Sequence, residues 1–333
     1  MKVMVTGGGG FLGGGIVKAL LKKGHSVRSL ARSCYPLLEE SGVEQIRGDL
    51  SDMNAVLQAA EGCELVFHVA AKAGVWGSYE SYYQANVTGT ENVIQACRNL
   101  KINRLVYTSS PSVVFGGEDQ ENVNESAHYP KQFLTNYPKT KAIAEKLVNE
   151  ANHGQLATVS LRPHLIWGPG DNHLLPRIVA RAKAGKLRLV GSQNKLVDSV
   201  YIDNAVDAHI LAAERLGPSS PIAGKNYFIT NDQPMTMAQL INGLLRAAGQ
   251  PAVERRIPGG LAYAAGTIFE GIYHLLGIQE EPPITRFVAR QLTTAHWFDL
   301  SAAKQDLGYI PKVSMEEGFR RLETALKKAD SLT

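Results

Sequence analysis

Ten residues near the start of the chain, Thr6-Gly7-Gly8-Gly9-Gly10-Phe11-Leu12-Gly13-Gly14-Gly15, constrain the fold more than any other stretch. They sit between a β-branched run at 2–5 and a helical pattern at 13–22. Glycines at such a strand-to-helix junction permit a tight turn and let backbone approach a ligand closely. The free N–H groups and dipole of the following helix favour a phosphate there. Two registers fit: G-x-G-x-x-G at Gly8, Gly10 and Gly13, or T-G-x-x-G-x-x-G at Thr6, Gly7, Gly10 and Gly13. Both are dinucleotide-binding turns.

The remainder of the first half repeats the same alternation. Strands are expected at 2–5, 26–31, 44–47, 65–68, 104–108 and 158–162, with helices at 13–22, 54–60, 86–100 and 138–151. Strands alternating with helices predict a doubly wound parallel α/β sheet. Beyond Arg162 the pattern breaks at Gly168-Pro169-Gly170. A basic helix at 174–184 follows, then a return to the sheet at 200–202, a helix to 215 that Asp203 is expected to cap, and a strand at 227–229. After Pro234 the chain reads as mostly helical. The expected organisation is a dinucleotide-binding domain of 1–166 and 200–229, with a smaller, mostly helical substrate domain of 167–199 and 230–333. A length of 333 residues accommodates both.

Charge and cysteine usage exclude other classes. The net charge of +4 is dispersed along the chain, which argues against a nucleic-acid surface. Three widely spaced cysteines without CxxC suit a reducing compartment, and nine histidines show no paired-ligand spacing, so no metal is expected. A first strand starting at Lys2 leaves no room for a leader, and a cytoplasmic protein is expected. The apolar stretch 261–277 is interrupted by Glu270 and His274 and falls short of the ~20 residues that span a bilayer. It reads as an amphipathic core helix.

The second strand ends in Arg32-Ser33, with no acid to bond an adenosine ribose. A guanidinium there pairs with a 2′-phosphate, so NADP(H) is preferred and NAD(H) is the alternative. Asp49 and Leu50, after the third strand, are expected at the adenine edge, and Val69, Ala70 and Ala71, after the fourth, beside the cofactor.

Tyr137 and Lys141 lie four residues apart at a helix start, on one helix face, with Tyr137 as the residue just before the helix proper. A nearby ammonium favours an ionised phenol, and the lysine can also reach a nicotinamide ribose. Upstream, a strand ends in Thr108-Ser109-Ser110, at the sheet edge where ligands bind. Ser110 is favoured over Ser109 and Ser112 as donor to a substrate oxygen; the other two read as turn caps.

In sequence order, Thr6 to Gly13, Asp49-Leu50, Thr108-Ser109-Ser110, Tyr137-Pro138-Lys139-Thr140-Lys141 and Arg162-Pro163-His164 resemble the extended short-chain dehydrogenase/reductase superfamily. Tyr107 to Ser110 and Tyr137-Pro138 are similar to its 3β-hydroxysteroid dehydrogenase branch. The stretch Ala70-Ala71-Lys72-Ala73-Gly74-Val75-Trp76-Gly77 is similar to the bacterial 2-alkyl-3-oxoalkanoate reductases within that branch.

The resemblance implies a Rossmann fold, the T-G-x-x-G-x-x-G register and hydride transfer at a secondary alcohol or ketone, with Tyr137 as general acid. Cofactor contacts are implied at Gly7, Gly10, Phe11, Leu12 and Gly13, and at Thr108, Tyr137, Lys141, Pro163 and His164. Homodimers are common in this superfamily. Ser110 to Phe115 is one residue longer than the S-x-x-V-Y-G of sugar-nucleotide members. The loop 72–83 carries Lys72, Trp76 and Tyr79, which suit a lipid-like ketone bearing a carboxylate. The rival readings are a sugar-nucleotide epimerase and a cofactor-sensing protein without turnover.

Overall fold

The computed structural model describes residues 1–192 and 194–331. Strands β1 (Lys2–Thr6), β2 (Ser26–Ala31), β3 (Glu44–Arg47), β4 (Leu65–His68), β5 (Arg104–Thr108), β6 (Gln120–Val123), β7 (Ala157–Pro163) and β8 (Ile166–Trp167) occupy the first half. They are followed by β9 (Leu189–Val190), β10 (Leu196–Val197), β11 (Val200–Tyr201), β12 (Asn226–Ile229), β13 (Met235–Thr236), β14 (Arg256–Ile257) and β15 (His296–Phe298). The helices are α1 (Phe11–Lys22), α2 (Pro36–Glu40), α3 (Met53–Ala60), α4 (Tyr79–Tyr83), α5 (Gly89–Asn99), α6 (Asn136–Glu150) and α7 (Leu174–Lys183). Then come α8 (Ile202–Arg215), α9 (Met237–Ala247), α10 (Gly259–Leu275), α11 (Arg286–Thr293), α12 (Ser301–Leu307) and α13 (Met315–Asp330).

Seven strands form one parallel sheet in the order β12-β7-β5-β4-β1-β2-β3. Chain order reverses between β1 and β4, which opens a crevice at their carboxyl ends. Every residue of β4 and β7 is buried, as strands covered by helices on both faces must be. The sheet is the expected Rossmann-type one. Its tight packing explains one glycine of the turn: a Cβ on Gly15 would stand 2.6 Å from Val206 of α8, so a side chain there would push the two helices apart.

A second layer consists of a four-stranded sheet, β13-β10-β15-β6, two strand pairs, β11 with β8 and β14 with β9, and helices α7 and α9 to α13. Residues 200–202 do not rejoin the main sheet. Val200–Tyr201 pairs with Ile166–Trp167 instead, because the chain leaves β7 through Leu165, whose φ of 43° turns it away from the sheet edge that β12 occupies.

Three local expectations are corrected. Helix α6 starts at Asn136, so Tyr137 is a full member of its first turn; Pro138 is tolerated because the N–H it lacks has no partner within the helix there. Asp203 does not cap α8, whose N-cap is Tyr201, and pairs instead with Arg321 at 3.2 Å. Helix α10 is turned against expectation: Ala262, Gly266 and Glu270 face inward while Leu261, Ile268, Leu275 and Leu276 are 61, 61, 87 and 65% exposed. Close packing on α11 selects the small residues, since a Cβ on Gly266 would lie 2.7 Å from the Thr285 backbone. Glu270 satisfies itself there by accepting from the Arg286 N–H at 2.7 Å and Nε at 2.6 Å.

Candidate active site

The glycine turn forms as a cradle. Gly7 holds φ of 70°, and its carbonyl accepts from Gly10 N–H. A Cβ on Gly13 would stand 2.1 Å from the Gly7 oxygen, so no side chain fits at that position. No side chain caps α1, which leaves the N–H groups of its first turn facing outward from Phe11, Leu12 and Gly13. Such a turn fits a pyrophosphate. Gly7 lies against Ala70, and the Thr6 hydroxyl accepts from the N–H groups of Val69 and Ala70, both at 3.0 Å. The ends of β1 and β4 are thereby tied together at the crevice.

That hydroxyl has a further consequence. With both lone pairs occupied, Thr6 must donate its proton to His68 Nδ1, 2.9 Å away, which fixes His68 as the tautomer protonated at Nε2. Nε2 in turn donates to Thr90 Oγ1 at 2.9 Å, and Thr90 donates to the Asn86 carbonyl at 2.6 Å. Burial lowers the His68 pKa to about 3, so the chain stays neutral. Asn86 lies in a π-turn, Gln84–Thr88, inserted between α4 and α5. Its amide accepts from Lys72 N–H at 2.7 Å and donates to Lys72 O and Thr140 Oγ1, both at 3.1 Å. Helix α6 is thus fastened to the loop 72–83. None of Thr6, His68, Asn86, Thr90 or Thr140 was marked as part of this network by sequence reasoning; Asn86, a polar residue among the buried positions of a helical stretch, was the one visible signal.

On α6, Lys141 is buried and donates to the Thr108 carbonyl at 2.6 Å, with its ammonium 4.2 Å from the Tyr107 ring centre. Burial pulls its pKa down to about 7; Glu145, one turn further, acts upward. Tyr137 is half-buried, and burial raises its phenol above the usual value while the Ser110 hydroxyl beside it acts in the opposite direction. Ser110 also caps the short 3-10 turn Pro111–Val114, its Oγ accepting from Ser112 N–H at 3.2 Å and lying 2.9 Å from Ser112 Oγ. The capping role expected of Ser109 or Ser112 therefore falls to Ser110. Ser109 is buried, and its hydroxyl has no partner among the described residues. Tyr137, Lys141, Ser110 and the Thr108 carbonyl converge at the end of β5. The Thr108 hydroxyl faces away, donating to His209 Nε2 at 2.9 Å.

Other predicted residues lie where expected in the chain but differ in exposure and partners. Arg32 and Ser33 are exposed just past β2. Arg47, which sequence reasoning overlooked, ends β3 opposite Ala31 and donates to Arg32 O at 3.3 Å, adding a second guanidinium. Asp49 binds Ser51 through its carboxylate, at 2.9 Å to N–H and 2.8 Å to the hydroxyl, and Leu50 packs against Gly89. Ala71 is exposed. Pro163 ends β7, and the buried His164 is held by His296 of β15, nitrogen to nitrogen at 2.7 Å.

Each of the three substrate candidates has its own polar or aromatic partner, and Lys72 and Trp76 both neighbour Tyr82. Lys72 Nζ donates to Ser81 at 2.7 Å. Trp76 donates to Ile278 O at 3.1 Å and lies 4.7 Å from the His274 ring. Tyr79 lies against Tyr83 with the two rings tilted, 5.6 Å between centres, and with Lys139 Nζ 4.5 Å from its own ring centre. An open cleft of about 470 Å³ between residues 117–119, the start of α10 and Arg290 is lined by none of them.

A parallel sheet reversing at a glycine cradle, with a tyrosine, lysine and serine at one strand end, defines an NAD(P)-dependent oxidoreductase of the extended short-chain dehydrogenase type. The chain belongs to the 3-beta hydroxysteroid dehydrogenase/isomerase family, whose model it matches over residues 4–258. It is 54% identical to a 2-alkyl-3-oxoalkanoate reductase of Shewanella oneidensis, over 97% of this chain and 85% of the relative. It is 52% identical to a protein of the same name from Stenotrophomonas maltophilia, over 98% of this chain and 99% of the relative. In fold it is similar to the UDP-glucose 4-epimerase of Thermus thermophilus in complex with NAD, with a TM-score of 0.74, 24% identity and 99% and 100% of the two chains covered. No helix among the described residues is long and apolar enough to cross a membrane.

Proposed function

We propose that the chain reduces the ketone of a 2-alkyl-3-oxo acid with long alkyl chains, using NADPH. The observation that carries this reading is the convergence of Tyr137, Ser110 and Lys141 at the end of β5, beside the turn that fits a dinucleotide phosphate. The names of the two relatives support the substrate class. The residues of the glycine turn and Lys141 would hold a nicotinamide dinucleotide, which when bound would supply the hydride for the carbonyl carbon. The chain's own residues handle the oxygen: Ser110 donates a hydrogen bond as negative charge develops there, and the Tyr137 phenol releases its proton to it, leaving a secondary alcohol. Lys141 in its cationic form favours the phenolate that remains. The cofactor is assigned to residues 1–166 and 200–229 and the substrate to 167–199 and 230–333, with Lys72, Trp76 and Tyr79 on the loop between them.

For the 2′-phosphate, Arg32 and Arg47 together are the groups we assign, as two planar forks at the ends of adjacent strands. The test is a screen of NADPH and NADH oxidation over 3-oxo acids, ketosteroids and UDP-sugars, with Tyr137→Phe as the blank. The expected result is turnover of 3-oxo acids, faster with NADPH, and a preference that Arg32→Asp with Arg47→Ala inverts. Epimerisation of a UDP-sugar without net cofactor oxidation would overturn the reading. Tight NADPH binding without turnover of any ketone would overturn it as well.

A further inference from the structure

The glycine run contains one glycine that its own backbone does not call for. Gly7 is fixed by its positive φ and Gly13 by the Gly7 carbonyl, but Gly9 has no positive φ. What excludes a side chain there is the Tyr35 ring, since a Cβ on Gly9 would fall among its Cγ, Cδ2 and Cε2 atoms. Tyr35 is half-buried just past β2, as the N-cap residue of α2. Pro36 follows it and favours an extended residue before it; Tyr35 holds φ of −125° and ψ of 114°.

Residues 32–34, all exposed, therefore form an arch with both feet on the glycine turn. At the first foot, the end of β2, Leu30 O accepts from Gly7 N–H at 2.9 Å; at the second, the Tyr35 ring covers Gly9. Strand β3 fastens the same two feet. Arg47 donates to Arg32 O at 3.3 Å, and the Gln45 amide accepts from Tyr35 N–H at 2.8 Å and donates to Tyr35 O at 3.1 Å. The arch carries Arg32 and Ser33, the end of the second strand where a 2′-phosphate would be met. Ordering a loop and a long side chain during binding costs affinity, so an arch that is already fastened keeps more of what a phosphate contact provides.

We propose that Tyr35 is a positioning residue for the adenosine end of the cofactor: its ring, seated on Gly9, holds the arch 32–34 against the glycine turn so that Arg32 and Ser33 meet a 2′-phosphate. Tyr35 acts through Arg32 and does not itself have to touch the phosphate. The contact on Gly9 is made by ring carbons, so the hydroxyl is dispensable and a phenylalanine preserves the device. Gly9 and the ring compete for one space, so each limits what the other position can hold. An alanine at position 9 displaces the ring, and its cost disappears once the ring is gone. The proposal rests on the NADPH reading above, because without a 2′-phosphate the arch has nothing to receive.

The experiment is titration calorimetry of the full chain with NADPH, NADH, 2′,5′-ADP and 5′-AMP, which needs no substrate and no turnover. The wild type is expected to bind 2′,5′-ADP more tightly than 5′-AMP. Tyr35→Ala should weaken NADPH and 2′,5′-ADP by about fivefold to tenfold and leave NADH and 5′-AMP within about twofold, while Tyr35→Phe binds as the wild type does. Gly9→Ala should lose as much as Tyr35→Ala, and the double variant no more than either, a strongly non-additive cycle. Should Gly9→Ala not fold by circular dichroism, the two Tyr35 variants carry the test by themselves. The proposal is overturned if Tyr35→Ala weakens NADPH and NADH equally, which would make the ring a support of the turn in general. Equal losses from Tyr35→Ala and Tyr35→Phe, or additive losses in the double variant, would also overturn it. A wild type that binds 2′,5′-ADP no more tightly than 5′-AMP sinks the NADPH assignment and this proposal with it, whereas a wild-type preference that survives intact in Tyr35→Ala sinks this proposal alone.

Discussion

Tyr137 and Lys141 differ in what burial does to them, and that difference sets their expected behaviour. Removing the Tyr137 hydroxyl takes away the proton donor without touching the glycine cradle. Tyr137→Phe is therefore expected to lose about 10²–10⁴-fold in ketone reduction while binding NADPH as the wild type does, checked by cofactor fluorescence beside the rate. Lys141 is held near neutrality, at about 7, by burial. As pH rises through that value the free enzyme loses its ammonium, and with it the charge that favours a phenolate. The kcat/KM for reduction should fall across neutrality, and the more basic Lys141→Arg should shift that fall upward if it retains turnover. A wild-type profile flat through this range would count against the role given to Lys141. The spacing of this pair was legible because helical periodicity fixes which side chains share a face. The lysine's bond to the Thr108 carbonyl was not, since it depends on how far α6 sits from β5.

Helix α6 is fixed to the sheet by a buried ion pair, and the glycine turn is fixed by its lack of side chains. Glu145 accepts from Arg162 Nε at 2.9 Å and Nη2 at 2.6 Å and from the Tyr129 hydroxyl at 2.7 Å, all deep under the helix. Glu145→Gln leaves the Arg162 charge buried and unmatched, which should cost ~3–5 kcal/mol in urea unfolding, whereas Glu145→Leu combined with Arg162→Met should cost much less. Gly13→Ala places a methyl 2.1 Å from the Gly7 oxygen. Loss of NADPH binding with the rest of the fold intact is the expected outcome, measured by fluorescence titration against circular dichroism. The glycine run could be read because its conformational demand is local. The face that α10 presents could not, because apolar periodicity says that a stripe exists and not which side of the helix the neighbouring α11 leaves for it.

Across the whole molecule, several buried histidines are held neutral. Burial lowers His68 to about 3 and His209 to about 4, and takes His164, bonded to His296, well below its usual value. An unfolded histidine takes up a proton near 6.5 while these folded ones do not, so stability should decline as pH falls from about 6.5 toward 4, by up to ~1.4 kcal/mol per pH unit for each. Urea midpoints taken at steps through that window check this; constant midpoints would refute it. The His164–His296 contact also joins the end of β7 to the second sheet, 132 residues away in sequence, and no local pattern announces it. By itself the sequence determined the alternating parallel sheet, the phosphate turn and the tyrosine–lysine pair, because each follows from the backbone freedom or periodicity of a few adjacent residues. Only the tertiary structure decided the separate strand pair at 200–201, the relay from Thr6 through His68 to Asn86, the partners of Lys72, Trp76 and Tyr79, and the outward apolar face of α10. Each of these depends on packing between segments distant in sequence, where burial and geometry outweigh local preference.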